Sequence, residues 1–243
     1  MISGIIVVIL VFIALGIISY LGARYTTKIE RPDALIAIYV LFLTCAQFFA
    51  AKIAQFDFGI GSWIAPAGVI VFPFTLQITD MVNEKFGRRE TYRMILIALA
   101  SQIIMVFFLI VAGIPTAITE PNSVSGDPLA AFAIVPRITI ASWIAFLISE
   151  NFDAWIYDKI RLYIQEKSSN QWWKFLWIRN VFSDFLSLGL DSLIFVPLAF
   201  LGVYTNEILL SVIIGQLAIK WILGIIDTPY MYLTRWIYDN YRD

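Results

Sequence analysis

Seven long apolar runs dominate the chain, at roughly 2–22, 33–52, 63–84, 93–114, 129–154, 178–203 and 207–234. Each suits the ~20 residues that a helix needs to cross a hydrocarbon core of about 30 Å. Only short clusters of charge, glycine and proline separate them. In lipid, every backbone N–H and C=O must find a partner within the protein, so runs of this length read as helices. The sequence therefore predicts an all-α fold, a polytopic integral membrane bundle of six or seven transmembrane helices, as a single domain over 1–243. The first run lacks a positive leading segment and a clear small-residue cleavage site, and reads as a retained helix rather than a signal peptide.

Composition narrows the function. Hydrophobic residues make up 60% of the chain and charged ones 14%, where a soluble domain typically has about a quarter charged. That excludes a soluble globular enzyme. With 17 Lys+Arg against 18 Asp+Glu there is no basic excess to neutralise phosphates, so the expected surroundings are a lipid bilayer and not nucleic acid. Cys45 is the single cysteine and there is no histidine, which removes disulfide frameworks, thiolate and imidazole metal sites, and Ser-His or Cys-His catalysis. No metal and no cofactor is expected. Any chemistry falls to carboxylates, Arg, Lys, amides and hydroxyls.

Charge in the loops is lopsided. Thirteen Lys and Arg, among them Arg24, Lys85, Arg88, Lys159, Arg161 and Arg235, fall in alternate loops and at the C-terminal end, against Lys52 alone on the other side. The excess marks the cytoplasmic face of a cell-membrane protein, which predicts an N-terminus outside and a C-terminus inside. Trp155, Trp172, Trp173, Trp177 and Trp236 gather at the same cytoplasmic span ends, where an amphipathic ring suits the headgroup region. Residues 155–174 read as a continuation of the fifth span followed by a surface segment.

The spans also carry ionisable groups, each costing at least ~2.5 kcal/mol at mid-membrane, so these should face a protein interior or a wet cavity. In the third span Gln77, Asp80 and Glu84 share a stripe about 60° wide. The fifth aligns Thr139, Trp143, Glu150, Asp153 and Tyr157, with Arg137 on the opposite side. The sixth places Arg179, Asn180, Ser183, Asp184, Ser187 and Asp191 within about 140°. The seventh places Gln216, Lys220 and Asp227 within about 40°. The simplest packing turns all four stripes toward one polar cavity. Pro66, Gly68 and Pro73 begin the third span, and Pro136, Pro197 and Pro229 are expected to interrupt the fifth, sixth and seventh, where freed backbone builds substrate sites. FDFGIGSWIAPAG (56–68) reads as an outer loop dipping back toward the cavity mouth.

The stretch PAGVIVFPFTLQITDMVNEKFGRRETYR (66–93) has an aromatic–Pro pair followed by Thr79, Asp80, Glu84, Phe86, Gly87 and Arg88 in a T-D-x-x-x-E-x-[YF]-G-[RK] pattern. It resembles the signature of the queuosine precursor transporter family, also called the vitamin uptake transporter family. SENFDAWIYDKIR (149–161) is similar to that family's acidic segment, and LWIRNVFSDFLSLGLDSLIFVPLAFLG (176–202) to its Arg-Asn … Ser … Asp helix, with Asp184 where the family usually has Thr. The resemblance, from about residue 35 to 235, implies a helical bundle that takes up 7-deazapurines such as 7-cyano-7-deazaguanine or its aminomethyl relative.

A carboxylate accepts the N–H donors of a deazaguanine edge, and Arg or Asn donates to its carbonyl. Asp184 and Asp191 are the candidates for the first role and Arg179 and Asn180 for the second. Asp80 and Glu84 fix Arg179 or carry a coupling proton, and Gln77, Glu150, Asp153, Ser183, Lys220 and Asp227 complete the substrate-binding candidates. No GxxxxGK[ST] loop is present, so this chain does not hydrolyse ATP, although a separate energising subunit or a homo-oligomer stays open. The alternative is an intramembrane enzyme, an aspartyl protease or lipid transferase, using Asp80 and Asp191 as paired carboxylates.

Overall fold

The computed structural model describes residues 3–59, 61–114, 132–167 and 176–240. Among them lie seven helices: α1 (Ser3–Ile29), α2 (Asp33–Ala50), α3 (Phe72–Phe86), α4 (Arg88–Ala112), α5 (Val135–Lys167), α6 (Leu176–Phe200) and α7 (Asn206–Asn240). Each of the seven runs carries an α-helix, although in the third run it covers only the part from Phe72 onward. Between α2 and α3 the chain forms strands β1 (Ile53–Asp57) and β2 (Ser62–Pro66), then a 3-10 helix (Ala67–Val71).

The side-chain contacts fix the helix directions relative to one another. Tyr230 of α7 donates to the Phe12 carbonyl of α1 (2.7 Å), and further along Thr26 of α1 reaches Tyr238, so α1 and α7 run parallel. Helix α3 shares their direction, since Gln77 meets Thr234 and Met81 meets Tyr238. Helix α2 runs against α3, with Phe42 on Phe74 (5.0 Å between rings) and Ala50 beside Gly68. Helix α6 runs against α5 and α7, with Arg137 at Leu198 and Leu201 and Asp191 at Lys220. The start of α1 and the end of α7 therefore lie at opposite ends of the bundle.

The third span differs from its sequence reading. Its helix begins at Phe72 rather than near 63, and its 15 residues reach only ~22 Å at 1.5 Å each. The rest of the depth is filled by the hairpin and the 3-10 helix. Residues 56–68 do turn back into the protein, but as part of an antiparallel ladder from Ile53↔Pro66 to Asp57↔Ser62. At the tip, Phe58 N–H donates to Gly61 O (3.0 Å) and Gly59 N–H to Asp57 Oδ1 (3.0 Å). Non-helical backbone is tolerated at this depth only where protein covers it, and glycines make that cover close. A Cβ at Gly215 of α7 would stand 2.1 Å from the Ile64 carbonyl oxygen, and one at Gly68 would stand 2.5 Å from the Ala46 carbonyl oxygen.

The prolines behave differently from expectation. Helix α5 starts at Val135, placing Pro136 in its first turn, where a missing N–H costs nothing. Helices α6 and α7 continue through Pro197 and Pro229. The opening in the backbone is instead at 53–71, ahead of Pro73 in the first turn of α3. The continuation of the fifth span is helical to Lys167, and 168–174 lies outside the described residues.

Candidate functional site

Lys220 and Asp191 form the centre of the site. Lys220 lies 14 residues into α7, about 21 Å along it, and Asp191 lies nine residues before the end of α6, about 14 Å. Measured from the same face of the bundle, both depths fall near the middle of a ~30 Å core. Their side chains form an ion pair, with Lys220 only 5% exposed. Lys220 Nζ also stands 4.7 Å from the ring centre of Phe72, the first residue of α3, a cation–π contact that strengthens where water is excluded. Helices α3, α6 and α7 thus meet at one charged, aromatic-lined point.

The polar groups above and below follow the stripe on α7. Gln216 is one turn from Lys220 on the same face and 3% exposed, and among the described residues its Oε1 has no hydrogen-bond partner. Its neighbour Gly215 presses on the backbone of β2, so Gln216 sits next to the hairpin. Thr234 lies 18 residues beyond Gln216, about five whole turns, and so shares its face. There Gln77, fully buried, donates to Thr234 Oγ1 (3.1 Å), while Gln77 Oε1 lacks a partner among the described residues. Beyond it, Tyr238 donates to Met81 O (3.3 Å), stands 3.3 Å from the Thr26 hydroxyl, and has Lys85 Nζ 4.9 Å from its ring centre. This knot joins α1, α3 and α7 at the far end of the stripe.

The remaining candidates are distributed unevenly. Asp80 is half-buried on α3 and Glu84 is exposed near its end. On α5, Thr139 is buried and donates to its own helix at Val135 O (2.9 Å), whereas the half-buried Trp143 has an Nε1–H without a partner among the described residues. Ser187 is buried on α6, one turn from Asp191. Glu150, Asp153, Tyr157, Arg179, Asn180, Ser183, Asp184 and Asp227 belong to helices α5, α6 and α7, but their side chains lie outside the described residues. Arg137 faces away from the stripe as expected, where its guanidinium donates to Leu198 O (3.0 Å) and Leu201 O (2.6 Å) and caps α6.

Sequence reasoning brought Lys220 and Asp191 into the candidate set but missed two of the groups around them. Phe72 carries no polar signal, so only the tertiary contact reveals it. Thr234 was legible in principle, because it repeats the Gln216 position at a whole number of turns.

Residues 66–234 match the family described as "Putative vitamin uptake transporter". The chain is 26% identical over 205 residues to the "Probable queuosine precursor transporter" of Bacillus subtilis (strain 168), an alignment that covers 84% of each chain. No solved structure matches the chain. The match begins at Pro66 at the end of β2 and runs to Thr234 on the α7 stripe, spanning the elements that build the site, and the chain belongs to the vitamin uptake transporter family.

Proposed function

We propose that the protein imports a small, flat, purine-like solute across the cell membrane along the polar seam between α3, α6 and α7. The solute is a queuosine-type precursor, 7-cyano-7-deazaguanine or its 7-aminomethyl relative. The observation that carries this reading is the Lys220–Asp191 pair, with Lys220 buried under Phe72 and Asp191 half-buried, about 14–21 Å along two apolar helices from one end of the bundle. Ionisable groups at that depth are costly and mark substrate or ion pathways. The curated name of the Bacillus subtilis relative supports the choice of solute.

The residues have complementary roles in this reading. Asp191, with Asp184, accepts from the N–H edge of the solute, and Arg179 and Asn180 donate to its carbonyl. Asp80 and Glu84 hold Arg179 or carry a proton, while Gln77, Glu150, Asp153, Ser183, Lys220 and Asp227 complete the polar lining. Phe72 offers a ring on which a flat solute stacks. The loop charges set the N-terminus outside and the hairpin on the outer face. An aspartyl enzyme finds little support, since Asp191 takes Lys220 as its partner rather than a second carboxylate.

Uptake of labelled 7-cyano-7-deazaguanine by cells lacking their own importer tests the reading. Expression of the chain should raise accumulation of the unchanged compound, and Asp191→Asn should remove most of that gain while still reaching the membrane. The purified protein should be stabilised by about 2.7 kcal/mol at 100 times Kd. Accumulation no higher than in cells without the chain would overturn the importer reading, and accumulation of a cleaved or modified product would favour the enzyme.

A further inference from the structure

We infer that Gln216 is a specificity-determining residue, whose amide oxygen takes an N–H of the transported solute just inside the hairpin. The inference rests on the importer reading and adds to it a residue and a ligand group. A buried acceptor without a partner is rare in a folded protein, because losing its hydrogen bond to water leaves an uncompensated cost. Among the described residues nothing donates to Gln216 Oε1, on a side chain 3% exposed. A leucine would fill similar volume without the cost, so the amide has no evident use in the empty fold.

Its surroundings indicate what satisfies it. Gln216 lies one helical turn from Lys220 on the same face, and Lys220 is held between Asp191 of α6 and the Phe72 ring of α3. On its other flank, Gly215 touches the Ile64 backbone of β2, so the hairpin walls this end of the site. A solute placed against Phe72 and Asp191 has Gln216 as the next acceptor toward the hairpin. Lys220 and the Gln216 amide oxygen then present a donor and an acceptor in sequence, which suits a planar lactam edge, an N–H beside a carbonyl. An acceptor that is orphaned when empty rejects analogues lacking the N–H, because it stays orphaned with them bound.

Competitive uptake separates this role from a structural one. The probes are 7-cyano-7-deazaguanine, its analogue without the exocyclic amine, and its analogue methylated at the ring N–H. The proteins are the parent chain, Gln216→Leu and the isosteric Gln216→Glu. In the parent chain, at least one analogue should compete about tenfold less well, the scale of one hydrogen bond. In Gln216→Leu, 7-cyano-7-deazaguanine should weaken about tenfold while that analogue is unaffected, so the preference disappears. Gln216→Glu, which keeps an acceptor, should retain the preference. The melting temperature of Gln216→Leu should equal or exceed that of the parent chain. Equal loss for all three compounds, or a lower melting temperature with the preference intact, would overturn the inference while leaving the importer reading in place. Failure of the parent chain to take up any of the three would overturn both.

Discussion

At the residue scale, the Lys220–Asp191 pair is costly to place and costlier to break. Two charges removed from water regain their hydration only through each other, so removing one partner from a buried pair typically costs 3–5 kcal/mol. Lys220→Met should therefore lower the unfolding free energy of the purified protein by about that amount. Adding Asp191→Leu should restore most of it, since a well-packed apolar pair is often neutral or better. Uptake should be lost in both. If the double variant transports at the parent rate, the pair serves only helix register. Arg137 gives the contrasting case of an ionisable group with a local structural task. The end of α6 leaves its last carbonyls without helical partners, and Arg137 supplies donors to Leu198 and Leu201. Arg137→Ala should cost about 1–3 kcal/mol in melting experiments without shifting the solute preference.

At the element scale, glycine decides two joints. Helices α3 and α4 are joined by Gly87 alone, with φ 82° and ψ 172°, a region essentially closed to any residue with a Cβ. Space is not the problem, since a Cβ there would meet nothing within 4 Å. Gly87→Ala should still destabilise by about 1–3 kcal/mol through backbone strain, and an equally stable variant would show that the corner relaxes. Gly215 is the reverse case, helical and unstrained but pressed on Ile64. Gly215→Ala forces α7 off β2 and should cost about 1–3 kcal/mol as overpacking. It should also lower uptake more than Gly87→Ala, because the displaced turn carries Gln216 and Lys220.

At the scale of the whole molecule, the contacts set the relative directions of α1, α2 and α3 with α7, and of α6 with α5 and α7, and place the start of α1 and the end of α7 at opposite ends of the bundle. The loop charges carry the proposal that the Glu207 face is outside and the Arg89 face inside. After replacement of Cys45 by Ala, a cysteine at the exposed Glu207 should react with an impermeant thiol reagent added to intact cells, and one at the exposed Arg89 should not. The reverse pattern would invert the bundle. The lipid-facing surfaces show why topology was easier to read than packing. Helix α4 exposes Ile103, Ile104, Phe107 and Phe108 while burying Met94, Ala98 and Gln102. In a bilayer both faces are apolar, so the contrast that marks the inner face of a soluble helix is missing.

What the residues determined unaided is the transmembrane class, the number and rough limits of the helices, and the separate polar stripes that carry Gln77 on the third run, Asp191 on the sixth and Gln216 with Lys220 on the seventh. These follow from free energies assessed locally: about 20 apolar residues must span lipid as helix, and a charge within them must turn inward whatever its neighbours are. Tertiary structure decided that α3 starts only at Phe72 and that a hairpin fills the remaining depth. It also decided that Pro197 and Pro229 stay within continuous helices, and that Phe72 covers Lys220. None of these is a property of a segment alone. A strand inside a membrane protein survives only when helices bring their glycines against its backbone, and a proline keeps its helix only when neighbours satisfy the carbonyl it frees. The helix glycines on the hairpin, Gly4 at Asp57 and Gly215 at Ile64, lie dozens of residues or more away in sequence, so that outcome rests on the packed bundle and not on the run itself.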